Sequence, residues 1–315
     1  MSEPQTFAFD LPDFLVGTAE YPEGPTGCTV FRFEQAVPAA VDIKGGATAL
    51  RESSSLHHAN SFGLLDALFF AGGSTYGLDV GTGVMEELRR LRGHAVGLEE
   101  IPSVPGAAVY DFEGRSDPTI LPDAKLGARA CREAKRNEVR VGRTGAGANV
   151  HVGSFLGIAY SERSGQGAAF QTIGRVRIFA LSVVNALGNV LDRTGTIVAG
   201  SRDPATGRRI SVTEGLRRLR APEARSPRHT TLTAVITNVA LSHAELRRLA
   251  AMAHVALGRV VEPFATPLDG DTLFAVSTST CQLPKSWTVA EVGVFAAEVA
   301  QDAVLDAVTR DRSAP

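Results

Sequence analysis

The sequence lacks the features that mark several large classes of protein. Its 315 residues include only three cysteines, Cys28, Cys131 and Cys281. This odd number at wide spacing argues against a disulfide framework and against a zinc cluster. The seven histidines include the adjacent pair His57 and His58 but no HExxH motif. We therefore expect neither a bound metal nor another cofactor.

The chain also lacks a charge imbalance and a long apolar run. Its formal net charge is -2 at pH 7, which gives no reason to expect nucleic acid or an anionic membrane as a partner. No apolar stretch approaches the ~20 residues that cross a bilayer. The first residues, MSEPQTFAFDLPDF, do not resemble a secretory signal. We expect a cytoplasmic protein whose substrate is a small molecule or a peptide.

What is present is an ordinary globular composition, with 44% hydrophobic and 21% charged residues. This suits one large domain or two closely packed ones. Residues 1–52 combine turn signals with short alternating runs, which predicts strands and tight loops. From Asn60, the sequence NSFGLLDALFFAGGSTYGLDVGTGVMEELRRLRG has apolar residues at helical spacing around a glycine-rich break. This pattern predicts two helices.

The glycines of AGGSTYGLDVGTG could also suggest a loop that binds phosphate. However, this segment has neither the GxxxxGK[ST] pattern nor the GxGxxG spacing. Glycine serves equally well where backbones pack closely. Close packing is therefore the preferred interpretation.

The second half of the chain has clearer local signals. The run VRIFALSVV is apolar at both odd and even positions, which predicts a central strand covered on both faces. Residues 201–229 read as an exposed connection with one short helix at most. TTLTAVIT and DTLFAVSTS then read as strands. Each precedes a helix that starts with a capping box, at Ser242 and Glu245 and at Thr288 and Glu291.

Thr230 opens the strand TTLTAVIT directly after a basic segment that contains proline. A threonine hydroxyl is a poor nucleophile unless a base takes its proton. A chain cut before Thr230 would supply that base as the α-amino group of the same residue. On the residues alone, β propensity explains two threonines at a strand start more simply, so both interpretations stay open.

Seven segments together resemble a known family. They are GTAEYPEGPTGCTV, GGSTYGLDVGTGVMEEL, VPGAAVYDF, GRTGAGANV, SGQGAAF, VVNALGNVLDRTG and HTTLTAVITNVALS with PLDGDTLFAVST. Their order and register are those of the peptidase family of D- and L-aminopeptidases, β-peptidyl aminopeptidases and nylon hydrolases. The resemblance runs from about Val16 to Ala307, and it is to the nylon hydrolases in particular.

The resemblance implies an α/β fold, a four-layer αββα sandwich of the type shared with ornithine acetyltransferase. It also implies an amide hydrolase that cuts itself between His229 and Thr230. The products would be an α-chain region, residues 1–229, and a β-chain region, residues 230–315, both in one compact domain. Four such cleaved pairs would form a homotetramer.

The resemblance further assigns roles to individual residues. Thr230 matches the nucleophile, and Asn185 matches an asparagine that would stabilise an oxyanion. Asp269 and Asp271 match two aspartates that hold the amine and hydroxyl of the nucleophile. Tyr110 matches a tyrosine of the substrate cleft. Without the resemblance, Asn185 could cap a turn, the aspartates could form an Asx-Gly-Asx turn, and Tyr110 could be a half-buried strand residue.

Two positions depart from the nylon hydrolases. Ser154 stands where those enzymes have a lysine, and His229 stands where they have an asparagine before the cut. Loss of an ammonium group would weaken the tuning of Thr230, although the nearby His151 could replace it. An imidazole at residue 229 could relay a proton. Two outcomes therefore stay open: self-cleavage that is slow or pH-dependent, and no self-cleavage.

Three functions remain open from the sequence. The first is hydrolysis of 6-aminohexanoate oligomers, short peptides or β-amino amides through an acyl-enzyme on Thr230. The second is acyl transfer on the same fold, in which an amine or alcohol resolves the acyl-enzyme. The third is an uncut protein that binds a ligand without catalysis, since a fold alone does not establish activity.

Overall fold

The computed structural model describes residues 5–58, 63–218 and 229–310. The strands are β1 Gln5–Ala8, β2 Phe14–Tyr21, β3 Thr26–Ile43, β4 Leu50–Arg51, β5 Leu64–Ala71, β6 Gly106–Ala108, β7 Lys135–Arg136, β8 Glu138–Val141, β9 His151–Val152, β10 Glu162–Arg163, β11 Gln166–Ile173, β12 Val176–Asn185, β13 Asn189–Leu191, β14 Ile197–Ala199, β15 Thr230–Val239, β16 Val261–Glu262 and β17 Thr272–Cys281. The α-helices are α1 Ser54–His57, α2 Val80–Leu91, α3 Ala124–Arg132, α4 Val212–Arg218, α5 His243–Leu257 and α6 Val289–Thr309.

The long strand β3 belongs to two sheets. Its second half pairs with β17 and completes the strand order β11, β12, β15, β17, β3. Its first half pairs with β2 and β5, and β5 is followed by β6 and β4. The register of β3 against β5 shifts between Arg32 and Val37, where the strand passes from one sheet to the other. A single strand therefore ties the two sheets together.

Three hydrophobic cores separate four layers. Helices α5 and α6 cover one face of the sheet that contains β15, and its other face packs on the second sheet. Helices α2 and α3 cover the outer face of that second sheet. The core between the sheets includes Phe14, Phe31, Phe70, Phe179 and Phe274. The order helix, sheet, sheet, helix confirms the αββα sandwich.

Strand β15 lies at the centre of its sheet, and all ten of its residues are buried. It pairs antiparallel with β12 and parallel with β17. Leu232, Ala234 and Ile236 face the core between the sheets, whereas Val235 and Val239 face the helices. Because both faces are covered, even the threonines within the strand are buried, and Thr231, Thr233 and Thr237 are at most 1% exposed. Strand β12 is also covered on both faces. This confirms the central strand predicted from VRIFALSVV.

Both predicted capping boxes are present. The Ser242 hydroxyl accepts a hydrogen bond from the backbone of Glu245, whose carboxylate accepts one from the Ser242 backbone at 2.8 Å. The second box joins Thr288 and Glu291 in the same way at the start of α6. These local contacts satisfy amide groups that the first helical turn leaves free. No helix in the described ranges is long and apolar enough to cross a membrane.

The prediction of two helices from Asn60 onward is half wrong. Leu64–Ala71 forms the strand β5, and a short 3-10 helix follows at Ser74–Asp79. Among the described residues of this stretch, α2 is the one α-helix, and residues 59–62 lie outside the described ranges. The side chains of β5 divide between the core of the two sheets and the core under α2 and α3. A short strand covered on both faces is apolar throughout, and periodicity does not separate it from a buried helix.

The glycines of this region serve close packing, as predicted. A Cβ atom added at Gly83 of α2 would lie 1.7 Å from the carbonyl oxygen of Ala124, where α3 begins. The backbones of the two helices could not approach this closely with any other residue. In the connection after β14, the one predicted short helix is α4, and residues 219–228 lie outside the described ranges.

Candidate active site

The strand pairing brings four of the predicted site residues to one end of the central sheet. Thr230 is the first residue of β15 and lies opposite Asn185, the last residue of β12. On the other side, His229 forms a parallel bridge with Asp269, three residues before β17 begins. The predicted nucleophile therefore lies between the asparagine and the aspartate turn because of the strand order alone.

The carbonyl group before Thr230 is held by two donors. The Thr230 hydroxyl donates to the carbonyl oxygen of His229 at 2.6 Å, and the Gly270 backbone N–H donates to the same oxygen at 2.6 Å. A Cβ atom added at Gly270 would lie 2.5 Å from the Thr230 hydroxyl oxygen. The turn therefore needs glycine to approach Thr230. Its amide acts where negative charge would develop if this carbonyl were attacked.

The two aspartates fix the backbone around Thr230, the predicted nucleophile. Asp269 accepts from the backbone N–H of Thr266 at 3.1 Å and from its hydroxyl at 2.6 Å. Asp271 accepts from the N–H of Thr231 at 2.7 Å and from the N–H of Ala265 at 3.0 Å. In this uncut chain, Asp271 therefore holds Thr231, the residue after the proposed nucleophile. The two carboxylates belong to the same loop.

Both carboxyl groups are almost fully buried, at 2% exposure for Asp269 and 1% for Asp271. Burial, followed by the charge of Asp269, raises the pKa of Asp271 to about 7. Burial also raises the pKa of Asp269, although hydrogen bonds from Thr266 oppose this shift. Two like charges this close do not both ionise easily. The pair therefore holds a proton up to near neutral pH.

A backbone segment supports the aspartate turn from behind. The N–H groups of Lys44 and Gly45 both donate to the carbonyl oxygen of Asp271, at 3.0 and 3.1 Å. The N–H of Ala47 donates to the carbonyl oxygen of Asp269 at 2.8 Å. The turn is thus held on one side by residues 44–47 and on the other by residues 265–266.

Asn185 connects two loops beside Thr230. Its side-chain oxygen accepts from the backbone N–H of His151 at 3.0 Å, and its amide nitrogen donates to the carbonyl oxygen of Tyr110 at 2.9 Å. Tyr110 itself is half-buried, with its ring 5.1 Å from that of Phe112. It follows strand β6 rather than lying in it. Asn185 therefore fixes both the Tyr110 loop and the start of β9.

Ser154 and His229, the two positions expected to depart from the nylon hydrolases, are in contact. The Ser154 hydroxyl oxygen lies 3.0 and 3.1 Å from the two ring nitrogens of His229. Because one carbon separates those nitrogens, nearly equal distances place the oxygen above the ring face rather than along either lone pair. The contact is therefore closer to packing on the ring than to an in-plane hydrogen bond. Both residues are buried.

Neither histidine beside the site supplies a positive charge at neutral pH. Burial, followed by the nearby His151, lowers the pKa of His229 to about 4. Burial and Arg163 lower the pKa of His151 to about 4 as well. Both imidazoles are therefore neutral at pH 7, and His151 does not replace a lysine ammonium as a charge.

A cavity of about 570 Å³ adjoins this cluster. Thr266 lines the cavity and also donates to Asp269, while Phe155, another lining residue, directly follows Ser154. The described wall is mostly apolar, and Glu262 is its one charged residue. The lining comprises Phe155, Ser211, Val212, Thr213, Leu216, Glu262, Pro263, Thr266, Pro267 and Leu268.

Sequence reasoning missed the backbone donors of this site. Gly270 was visible only as the middle of an Asx-Gly-Asx turn, and nothing in the sequence marks the amide of Ala265 or Lys44. Thr266 had a weak signal, because a threonine three residues before an aspartate can bond back to it in a turn.

Comparisons with known proteins identify the family of this chain. The profile of peptidase family S58 matches residues 8–314. The chain is 38% identical over 311 residues to the 6-aminohexanoate-oligomer endohydrolase of Paenarthrobacter ureafaciens. The aligned region covers 95% of this chain and 85% of that protein. The endohydrolase of a Kocuria strain is also 38% identical over 315 residues, covering 96% and 86% of the two chains.

Solved structures share the fold at lower identity. A β-aminopeptidase from Burkholderia superposes with a TM-score of 0.67 at 20% identity, covering 95% of this chain and 84% of that one. The L-aminopeptidase D-Ala-esterase/amidase of Ochrobactrum anthropi, described as a variant of the Ntn hydrolase fold, gives a TM-score of 0.69 at 18% identity over the same shares. The chain therefore belongs to peptidase family S58 and is an amide hydrolase.

Proposed function

We propose that this chain is an N-terminal-nucleophile hydrolase that matures by cutting its own peptide bond between His229 and Thr230. The observation that carries the proposal is the 2.6 Å hydrogen bond from the Thr230 hydroxyl to the His229 carbonyl oxygen, which the Gly270 amide also binds. The hydroxyl oxygen is thus beside the carbonyl carbon that it would attack. A donor already faces the oxygen that would become negative.

Self-cleavage then takes two steps. The Thr230 hydroxyl oxygen adds to the His229 carbonyl carbon, its proton passes to the Thr230 nitrogen, and the carbon–nitrogen bond breaks. This leaves an ester between His229 and the Thr230 side chain. Water adds to the ester, which releases the His229 carboxylic acid and restores the hydroxyl. Residues 1–229 and 230–315 become two chains within the same sandwich.

Substrate hydrolysis repeats this chemistry with a free α-amine. The Thr230 amine accepts the hydroxyl proton and returns it to the leaving amine, after which water hydrolyses the acyl-enzyme. Asn185, opposite Thr230 in the strand ladder, stabilises the oxyanion with its side-chain amide. In this proposal Asp269 and Asp271 hold the amine and the hydroxyl of the cut Thr230. The Tyr110 phenol would contact substrate from the side of Asn185, whose amide binds the Tyr110 carbonyl oxygen, because Tyr110 is not among the described residues that line the 570 Å³ cavity.

The substrates we propose are amides with short flexible chains, namely 6-aminohexanoate oligomers, short peptides and β-amino amides. The two relatives named above are 6-aminohexanoate-oligomer endohydrolases. The 570 Å³ cavity beside Asp269 has mostly apolar walls, which suits a polymethylene chain. Glu262 is the carboxylate that could attract the terminal ammonium of such a chain.

We expect purified wild-type protein to contain a fragment that starts at Thr230, and Thr230→Ala to remain one inactive chain because the methyl group has no attacking oxygen. Intact mass and amino-terminal sequencing measure the cut. Thr233→Ala is the matched control, since it removes another buried hydroxyl of β15, bonded to Ser182. A Thr230→Ala chain that is still cut, or that turns over amide at the wild-type rate, would place the nucleophile elsewhere.

Asn185→Ala should lower kcat for amide hydrolysis by the equivalent of about 2.7–4 kcal/mol, the range for loss of one oxyanion donor. The rate is measured per mole of cut chain. Asn149→Ala is the control, because the Asn149 amide is also buried and donates to the carbonyl oxygens of Asp111 and Glu113 in the loop after Tyr110. Equal losses in the two variants would show that Asn185 acts only by fixing that loop.

Glu262→Gln should raise KM for a 6-aminohexanoyl anilide by about two- to fivefold, as expected for loss of one partly solvated ion pair. The variant should leave KM for the matching hexanoyl anilide unchanged, because that substrate has no ammonium group. Steady-state kinetics on the pair separate charge from chain length. The same change in KM for both substrates would remove Glu262 from amine recognition.

The raised pKa of Asp271 predicts a pH dependence of stability in the uncut Thr230→Ala chain. The pKa of the carboxyl group is about 7 in the folded chain, whereas an unfolded aspartate has its ordinary pKa of 3.8. The folded state therefore binds more protons between these values, and the free energy of unfolding should fall as pH rises through them. Adding Asp271→Asn should flatten this fall.

The change in the free energy of unfolding with pH is measured by urea unfolding at intervals from pH 4 to pH 8. The measurement compares Thr230→Ala with the double variant that also carries Asp271→Asn. Asp10→Asn in the same background is the control, because the Asp10 side chain is exposed and forms a surface ion pair with Arg177. If Asp271→Asn and Asp10→Asn leave the same slope, the buried pair does not carry the proton.

A further inference from the structure

We propose that His254 and Asp42 are positioning residues that hold the Asp269 and Asp271 turn in its working geometry. This inference rests on the proposed function of the two aspartates. It concerns residues that do not touch Thr230 and that lie on α5 and β3, on the far side of the turn.

His254 lies on α5 and is fully buried. Its Nδ1 atom is 2.7 Å from a carboxylate oxygen of Asp42, in β3. The Lys44 ammonium lies 2.8 Å from the same oxygen. One carboxylate oxygen therefore joins the helix to the strand end that continues into residues 44–47.

The imidazole contacts Asp42 and Phe264, which lie next to the two segments that hold Asp271. On one side, Lys44 is joined to Asp42, and its backbone N–H donates to the Asp271 carbonyl oxygen at 3.0 Å. On the other side, the ring of Phe264 packs edge-on against the imidazole, with centroids 5.4 Å apart. The next residue, Ala265, donates its N–H to the Asp271 carboxylate at 3.0 Å. Movement of the imidazole would thus reach Asp271 by two routes.

Stability alone does not explain a histidine at this position. Its Nε2 atom is buried and has no hydrogen-bond partner within the described residues. Burial lowers the pKa of His254 despite the opposing effect of Asp42, so the ring is neutral and Nε2 is an unsatisfied acceptor. Such an atom costs free energy that an aliphatic side chain would avoid. The contact of Nδ1 with Asp42 is what the histidine provides in return.

The bond to Asp42 is charge-assisted. Burial acts to raise the pKa of Asp42, but the hydrogen bonds from His254 and Lys44 outweigh it and bring the pKa to about 2. The carboxylate is therefore ionised at working pH. An ionised acceptor makes a shorter and stronger hydrogen bond than a neutral one, which suits a group that must hold two segments in register.

The same helix offers a matched control. His243, at the start of α5, also bonds to β3, with its Nδ1 atom 3.0 Å from the carbonyl oxygen of Ala39. It joins the same helix to the same strand but contacts neither residues 44–47 nor Phe264. Loss of helix-to-strand attachment in general is therefore separable from loss of support for the aspartate turn.

The experiment compares His254→Leu, His254→Asn and His243→Leu with the wild type. It measures the rate of self-cleavage after synthesis, kcat and KM on 6-aminohexanoate oligomers per mole of cut chain, and Tm. We expect His254→Leu to lower kcat and the self-cleavage rate by about ten- to hundredfold at unchanged KM, the effect of a misplaced catalytic group. His254→Asn keeps an N–H donor for Asp42 and should recover most of the loss. His243→Leu should lower Tm without changing kcat.

Three results would overturn the positioning role. They are wild-type kcat in folded His254→Leu, an equal loss of kcat in His243→Leu, and no recovery in His254→Asn. If His254→Leu does not fold, Asp42→Ala replaces it, with the same loss of kcat expected and wild-type kcat as the contrary result. An uncut, inactive wild type would instead refute the proposed function, whereas a cut, active wild type matched by His254→Leu would refute only this inference.

Discussion

Burial of two carboxylates two residues apart is the constraint on which the rest of this site depends. Taking a carboxylate out of water is costly unless donors replace the solvent, and Asp269 and Asp271 lie deep in the sandwich. Segment 265–266 and Thr231 supply donors to the carboxylates, and residues 44–47 hold the backbone of the turn. Thr231 belongs to β15 and residues 44–47 follow β3, and these two strands flank β17 on opposite sides. The αββα fold thus creates the environment that shifts the pKa of the aspartates.

Sequence patterns predicted the elements that have local signals. Strands β12 and β15 are rich in β-branched residues and buried on both faces. The capping boxes at Ser242 and Thr288 mark the starts of α5 and α6. The pattern failed for Leu64–Ala71, because a short buried strand and a buried helix look alike. The roles of the site residues came from family resemblance. Backbone donors such as Gly270 have no side-chain signature, and the contact of His254 with Asp42 spans 212 residues of chain.

The two positions expected to depart from the nylon hydrolases, Ser154 and His229, lie at one place in the structure. Ser154 lies over the ring of His229, in contact with both of its nitrogens. A lysine at residue 154 would add volume beside the buried imidazole, and well-packed interiors tolerate little added volume. A serine with a histidine is therefore a consistent pair of side chains. What the pair does not provide is charge, since both nearby imidazoles are neutral at pH 7.

The absence of that charge affects how Asp269, Asp271 and the Thr230 amine share protons before and after the proposed self-cleavage. Before the cut, Asp269 and Asp271 have no ammonium beside them, and burial keeps a proton on the pair. The cut creates an α-amine at Thr230, next to Thr231, whose N–H already binds Asp271. An ammonium there would favour ionisation of the carboxyls, and the carboxylates would raise the pKa of the amine in return. Without a lysine to oppose this, the amine becomes a free base only at higher pH. The same carboxylates that hold the nucleophile therefore set the pH at which it can act.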